Sequence, residues 1–86
     1  MSQNAQHVFH VLSLPRRDES HAEVRGTIRA GRVQAGDTLW FVTPSGERHE
    51  VQVVSVNPGE RHMLVDLQGA KESLESLEGG YYLYGG

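Results

Sequence analysis

Eighty-six residues, 37% hydrophobic and 22% charged, allow one small domain and exclude a nucleotide-binding domain joined to a substrate domain. With no cysteine, disulfide scaffolds, thiolate zinc sites and cysteine nucleophiles are excluded as well. The net charge of −3 argues against a strongly electrostatic nucleic-acid binder. Acids and arginines balance through residue 65, and Asp66, Glu72, Glu75 and Glu78 against Lys71 supply the deficit.

Residues 1–6 are polar and uncharged, which predicts a disordered start and matches no signal peptide, and no apolar run approaches the ~20 residues of a membrane span. The run 7–14, with Val8, Phe9, Val11, Leu12 and Leu14, reads as a strand ended by Pro15, and 16–20 reads as an exposed loop. Along 22–30, Glu23, Arg25, Thr27 and Arg29 alternate with Val24, Gly26, Ile28 and Ala30, the period of a half-buried strand. Gly31 and Gly36-Asp37 punctuate the chain before 38–43, the strongest strand by propensity. The Pro-Ser-Gly turn at 44–46 predicts a hairpin into 50–56, and a further strand around Met63, Val65 and Leu67 stops at Gly69. Residues 70–77 read as a loop with a short helical turn, Gly80 breaks it, 81–84 form a last strand, and Gly85-Gly86 is expected to fray. The sum is an all-β chain: a small antiparallel β-barrel of five to seven strands, one domain over 7–84.

The run Val24-Arg25-Gly26-Thr27-Ile28-Arg29-Ala30-Gly31-Arg32-Val33-Gln34-Ala35-Gly36-Asp37-Thr38-Leu39 carries glycines and apolar residues in a recognisable order. It resembles the second domain of elongation factor Tu and related translational GTPases, whose barrel carries V-x-G-x-[VI]-x-x-G-x-[VIL]-x-x-G-D-x-[VL]. Phe9, Val51, Val54 and Val56, the run 65–69 ending at Gly69, and Gly80 to Leu83 fit the flanking strands, so the likeness covers roughly residues 8–84. The resemblance implies a translation-factor barrel without its GTPase domain, in which Gly26, Gly31, Gly36, Asp37, Gly69 and Gly80 set turns and bends. It also implies an RNA or ribonucleoprotein partner such as tRNA or the ribosome, and a cytoplasmic location.

Little catalytic chemistry is legible. No Gly-Lys pair forms a phosphate-cradling loop. His7, His10, His21, His49 and His62 show no metal-ligand spacing, and His10 with Asp18 or Asp37 lacks a nucleophile-elbow context. Neither an enzyme nor a cofactor nor a metal is expected. Arg16 and Arg17 in the loop, with Arg25, Arg29 and Arg32 along the second strand and its turn, are the candidates to hold phosphate or another anion. The alternative for the strand arginines is a cross-strand ion-pair ladder. Among the aromatics, neighbours Trp40 and Phe41 face opposite sides, as do Tyr81 and Tyr82. Trp40, Tyr81 and Tyr82 are therefore the candidate contact residues, set against a role bracing the core. Two functions follow: a non-catalytic module contacting RNA or a ribonucleoprotein, or a protein-interaction or self-association module unrelated to translation. No membrane partner is expected.

Overall fold

Period-two alternation puts alternate residues inside along the middle of the strands, and six such strands close on one another. The computed structural model describes residues 6–86. In chain order the elements are β1 (His7–Arg17), β2 (His21–Ala30), β3 (Thr38–Val42), β4 (Arg48–Asn57), β5 (Met63–Gln68), a short helix α1 (Lys71–Ser76) and β6 (Tyr82–Gly85). All pairings are antiparallel, and the order around the closed barrel is β1-β2-β5-β4-β3-β6. β3, β4 and β5 follow one another as hairpins. The connection through α1 then brings β6 back beside β3, a Greek key. The expected disordered start falls mostly on residues outside those described; Gln6 donates its N–H to Gly85 O at 3.0 Å.

Phe9 and Val11, Val24, Leu39 and Phe41, Val51 and Val53, Val65 and Leu67, and Leu83 fill the interior. Each large side chain so buried contributes about 1.5–3 kcal/mol of transfer free energy. One end of the barrel is closed by Leu74 and Leu77, both fully buried, which is why the weak helical signal at 70–77 becomes a real turn of helix. At the other end Val33 packs inward from the loop between β2 and β3.

Three expectations need correction. On β2, Ile28 and Ala30, expected on the inner face with Val24 and Gly26, are exposed, where the pairing with β1 shifts register between Val8 and Phe9. β1 does not end at Pro15 but runs to Arg17, and the exposed turn shrinks to residues 18–20. Pro15 lies within a register shift between Ser13 and Arg16, where the missing N–H costs no ladder bond. Asp18 then makes the turn: its Oδ1 accepts from the N–H groups of Ser20 and His21 at 2.9 and 2.8 Å. Gly85 does not fray either. It pairs with His7 and is buried, and a Cβ there would lie 2.7 Å from Leu39 Cδ2.

Gly26 faces inward where a Cβ would strike the His10 carbonyl and lie 2.8 Å from the Phe9 ring, so its missing side chain is the space that ring occupies. Gly36 has φ of 94°. It begins the docking of the loop on β4, with Gly36 N–H donating to Val53 O at 2.9 Å and Val53 N–H donating to Asp37 O at 2.8 Å. Asp37 Oδ2 also accepts from Gln34 N–H at 3.0 Å.

Candidate functional site

The same alternation that sends Phe9, Phe41 and Leu83 inward sends their neighbours outward. On adjacent strands β1, β6, β3 and β4 those neighbours are aromatic. His10 lies opposite Tyr82, and Tyr84 lies opposite Val8 on one side and Trp40 on the other. The His10 and Tyr82 rings stack at 4.4 Å between centroids and 9° between planes. Trp40 and Tyr84 meet at 4.7 Å, and Tyr82 lies 6.5 Å from Tyr84. The row ends on β4, where the Arg48 guanidinium lies 4.5 Å over the Trp40 ring and 3.6 Å from Glu50. Leu12 and Val42 extend the apolar surface, and Tyr82, Leu12 and Val42 are 40%, 41% and 47% exposed.

Trp40 and Tyr82 thus stand on this face as candidate contacts. Tyr81 points the other way: its ring leans on Phe41 at 5.9 Å and its hydroxyl donates to Glu78 at 3.3 Å. Desolvation, and next the Glu78 charge, push the Tyr81 hydroxyl above its ordinary 10.0. Tyr84, His10 and Arg48 belong to the row as well: His10 drew notice in the sequence only as a histidine, Tyr84 only as one of the aromatics, and Arg48 not at all. Their signal is their place between core residues on strands that later prove adjacent.

The outer face of β2 and β5 is different in kind. It carries Glu23, Arg25 and Thr27 against Leu64, Asp66 and Gln68, with Ser55 donating to Asp66 at 3.3 Å. The candidate arginines do not converge there. Arg17 turns back to α1, donating from its two terminal nitrogens to Leu77 O at 2.6 Å and Glu75 O at 3.2 Å. Arg16 lies opposite Glu23, and from that level to Arg29 is six residues of strand, about 20 Å. The cross-strand ladder is absent too: among the described residues the arginine–carboxylate ion pair is Arg48–Glu50, within one strand.

Two further constellations have chemical character. An open groove of about 600 Å³ is lined by Pro15, Arg16, Arg17, Asp18, His21, Glu23 and Asp66. Its Asp18 is already spent on the turn, where the backbone N–H groups of Ser20 and then His21 hold the carboxyl below its ordinary 3.8. His49 joins Ser73 Oγ at 3.0 Å through Nδ1 and Glu47 Oε1 at 3.4 Å through Nε2. That order resembles a nucleophile relay, but Ser73 is only 7% exposed and no residue of the relay lines the grooves described. It ties α1 to β4. No family model, curated protein or solved structure matches the chain.

Proposed function

We propose that this barrel is a non-catalytic binding module that holds a protein partner on the outer face of β1, β6, β3 and β4. The observation that carries this reading is the contiguous row of His10, Tyr82, Tyr84, Trp40 and Arg48, flanked by exposed Leu12 and Val42. Stacked aromatics and a guanidinium on a rigid sheet form a surface of the type from which interface hot spots are built. Its one arginine is already engaged by Trp40 and Glu50, which leaves little charge for a phosphate backbone. We also read the chain as a barrel of the translation-factor domain-two type. That reading is supported by the 24–39 pattern, by the space Gly26 leaves for Phe9, and by positive φ at Gly31 and Gly36.

A second reading, contact with RNA, is favoured by one observation: Arg25, Arg29 and Arg32 are exposed without an acid at ion-pair distance among the described residues. Capture from native lysate separates the two. A protein partner is expected to survive nuclease and to be lost with Trp40→Ala, with affinity reduced by about 30-fold or more for a hot-spot residue. It is expected to be indifferent to joint replacement of Arg25, Arg29 and Arg32 by Ala. Loss on nuclease and on the arginine replacement, with Trp40→Ala silent, would select RNA and overturn the protein reading.

A further inference from the structure

β2 is paired further along one side than along the other. Against β1 its register runs from Ala22 to Ala30, whereas against β5 it ends where Gly26 meets Met63. Thr27 to Ala30 therefore stand past the end of β5. Successive residues of an antiparallel strand send their N–H and C=O groups to opposite edges, so about half of this overhang's backbone groups point to the side that β5 vacates. Among the described residues, no turn or loop closes that side with a backbone hydrogen bond. The overhang of β1 beyond its pairing with β6 at residues 7–10 is treated differently. There Gly80 N–H donates to Val11 O at 2.7 Å, and Arg17 reaches across to Glu75 O and Leu77 O.

Beside the open edge lies a groove of about 250 Å³, with Gly26, Thr27 and Ile28 on one wall and the 58–63 loop, including Arg61 and His62, on the other. Exposed Ile28 and half-buried Met63 give it apolar surface. The loop closes on itself, with Gly59 so near the His62 carbonyl that a Cβ would strike it, and leaves β2 unpaired. The margin is basic. Arg61 lines the groove, Arg29 lies on the overhang, and Arg25 and Arg32 flank it; none has a carboxylate at ion-pair distance among the described residues. The acids stand off. Glu23 and Asp66 pair three register levels back from Gly26 and Met63, about 10 Å along the strands, and Glu60 does not line the groove. An open strand edge with a basic margin fits a polypeptide that carries carboxylates. A phosphate backbone would meet the arginines but leave the strand edge unanswered. A second copy would set Arg25 and Arg29 against their own counterparts across a two-fold axis.

We propose that the Thr27–Ala30 edge takes up an extended acidic segment of a partner protein as an added strand, in the line that β5 leaves free, with aliphatic side chains on Ile28 and Met63 and carboxylates toward Arg29 and Arg61. This surface shares no residue with the aromatic face and stands independently of it.

The test adds blocked hexapeptides of alternating glutamate and valine, or of alternating lysine and valine, and a single-stranded hexauridylate to the intact chain, followed by NMR. The glutamate peptide is expected to shift the amides of residues 27–30 and to slow hydrogen exchange at those facing the open edge. The lysine peptide is expected to bind at least about tenfold more weakly. Methylating alternate backbone nitrogens of the glutamate peptide separates strand addition from charge attraction. In one parity the methyl groups replace the hydrogens donated to β2, and affinity is expected to fall about tenfold; in the other they point away, and affinity is retained. Joint replacement Arg29→Gln and Arg61→Gln is expected to weaken the glutamate peptide about fivefold and to flatten its salt dependence. Equal binding of the two peptides, or equal loss from both methylation parities, would overturn the proposal. So would hexauridylate shifting the same amides, or concentration-dependent self-association through residues 27–30 without peptide. If the double variant does not fold, the two peptides and the two methylation parities still decide on the wild-type chain. Absence of peptide binding alongside a Trp40-dependent protein partner would remove the open-edge site and leave the aromatic-face module standing.

Discussion

Gly26 and Asp18 are the two positions where a single side chain decides local structure. A methyl group at Gly26 would press on the His10 carbonyl, which is backbone in a ladder, and on the Phe9 ring, which has nowhere to go. Gly26→Ala is therefore expected to cost about 3 kcal/mol, the upper end of ordinary overpacking, measured by urea denaturation. Gly46, whose Cβ would meet open space, makes the contrasting control. Asp18 carries a pH dependence of defined sign. Its carboxyl is held below 3.8 by the turn amides, so the folded state releases the proton more readily than the unfolded chain. The stabilisation is present above the unfolded value and is lost as pH falls through the lowered folded value. In an NMR titration from pH 5 to about 2, the Ser20 and His21 amides are expected to move as the turn loosens. Asp18→Asn, which keeps an acceptor but has nothing to protonate, is expected to remove that movement.

At the scale of elements, α1 is too short to hold itself together, and three neighbours hold it. Leu74 and Leu77 enter the core, His49 binds Ser73, and Arg17 reaches the last carbonyls of the helix. Arg17→Ala is expected to lower stability by about 1–2 kcal/mol and to raise hydrogen exchange in α1 and its flanks ahead of the barrel strands. An RNA-contact role for Arg17 would instead leave exchange unchanged. The element pattern itself was largely open to reading. Period two separates Trp40 from Phe41 and Tyr81 from Tyr82, but which member of each pair faces the core is decided by the closed barrel, which buries Phe41 and turns Tyr81 onto it. What local pattern does not carry is which strands become neighbours. His10, Tyr84 and Arg48 form one row only because β6 returns between β1 and β3, and nothing within seven residues of His10 announces Tyr82. Pro15 misled for a related reason: a proline breaks a ladder only where the ladder is in register, and register belongs to the pair of strands.

For the molecule as a whole, the barrel has two unlike sides. β2 and β5 show mixed charge to solvent, and β1, β6, β3 and β4 show rings and branched aliphatics. The cost of that asymmetry is colloidal, since an uncovered aromatic face invites association, and the acids around it and the net charge of −3 oppose it. The way the ring is joined sets a further cost. β6 spans only Tyr82–Gly85, yet it links β1 to β3, its seam with β3 resting on the pairing of Trp40 with Tyr84. During synthesis the first five strands emerge with two raw edges, and His7 waits some 78 residues for Gly85. Until that last strand arrives, the intermediate is a curled sheet able to accept the tail of another copy in place of its own. Fidelity of closure is thus decided by four residues at the latest moment of folding, and crowding of nascent chains, rather than heat, is the condition that would expose it.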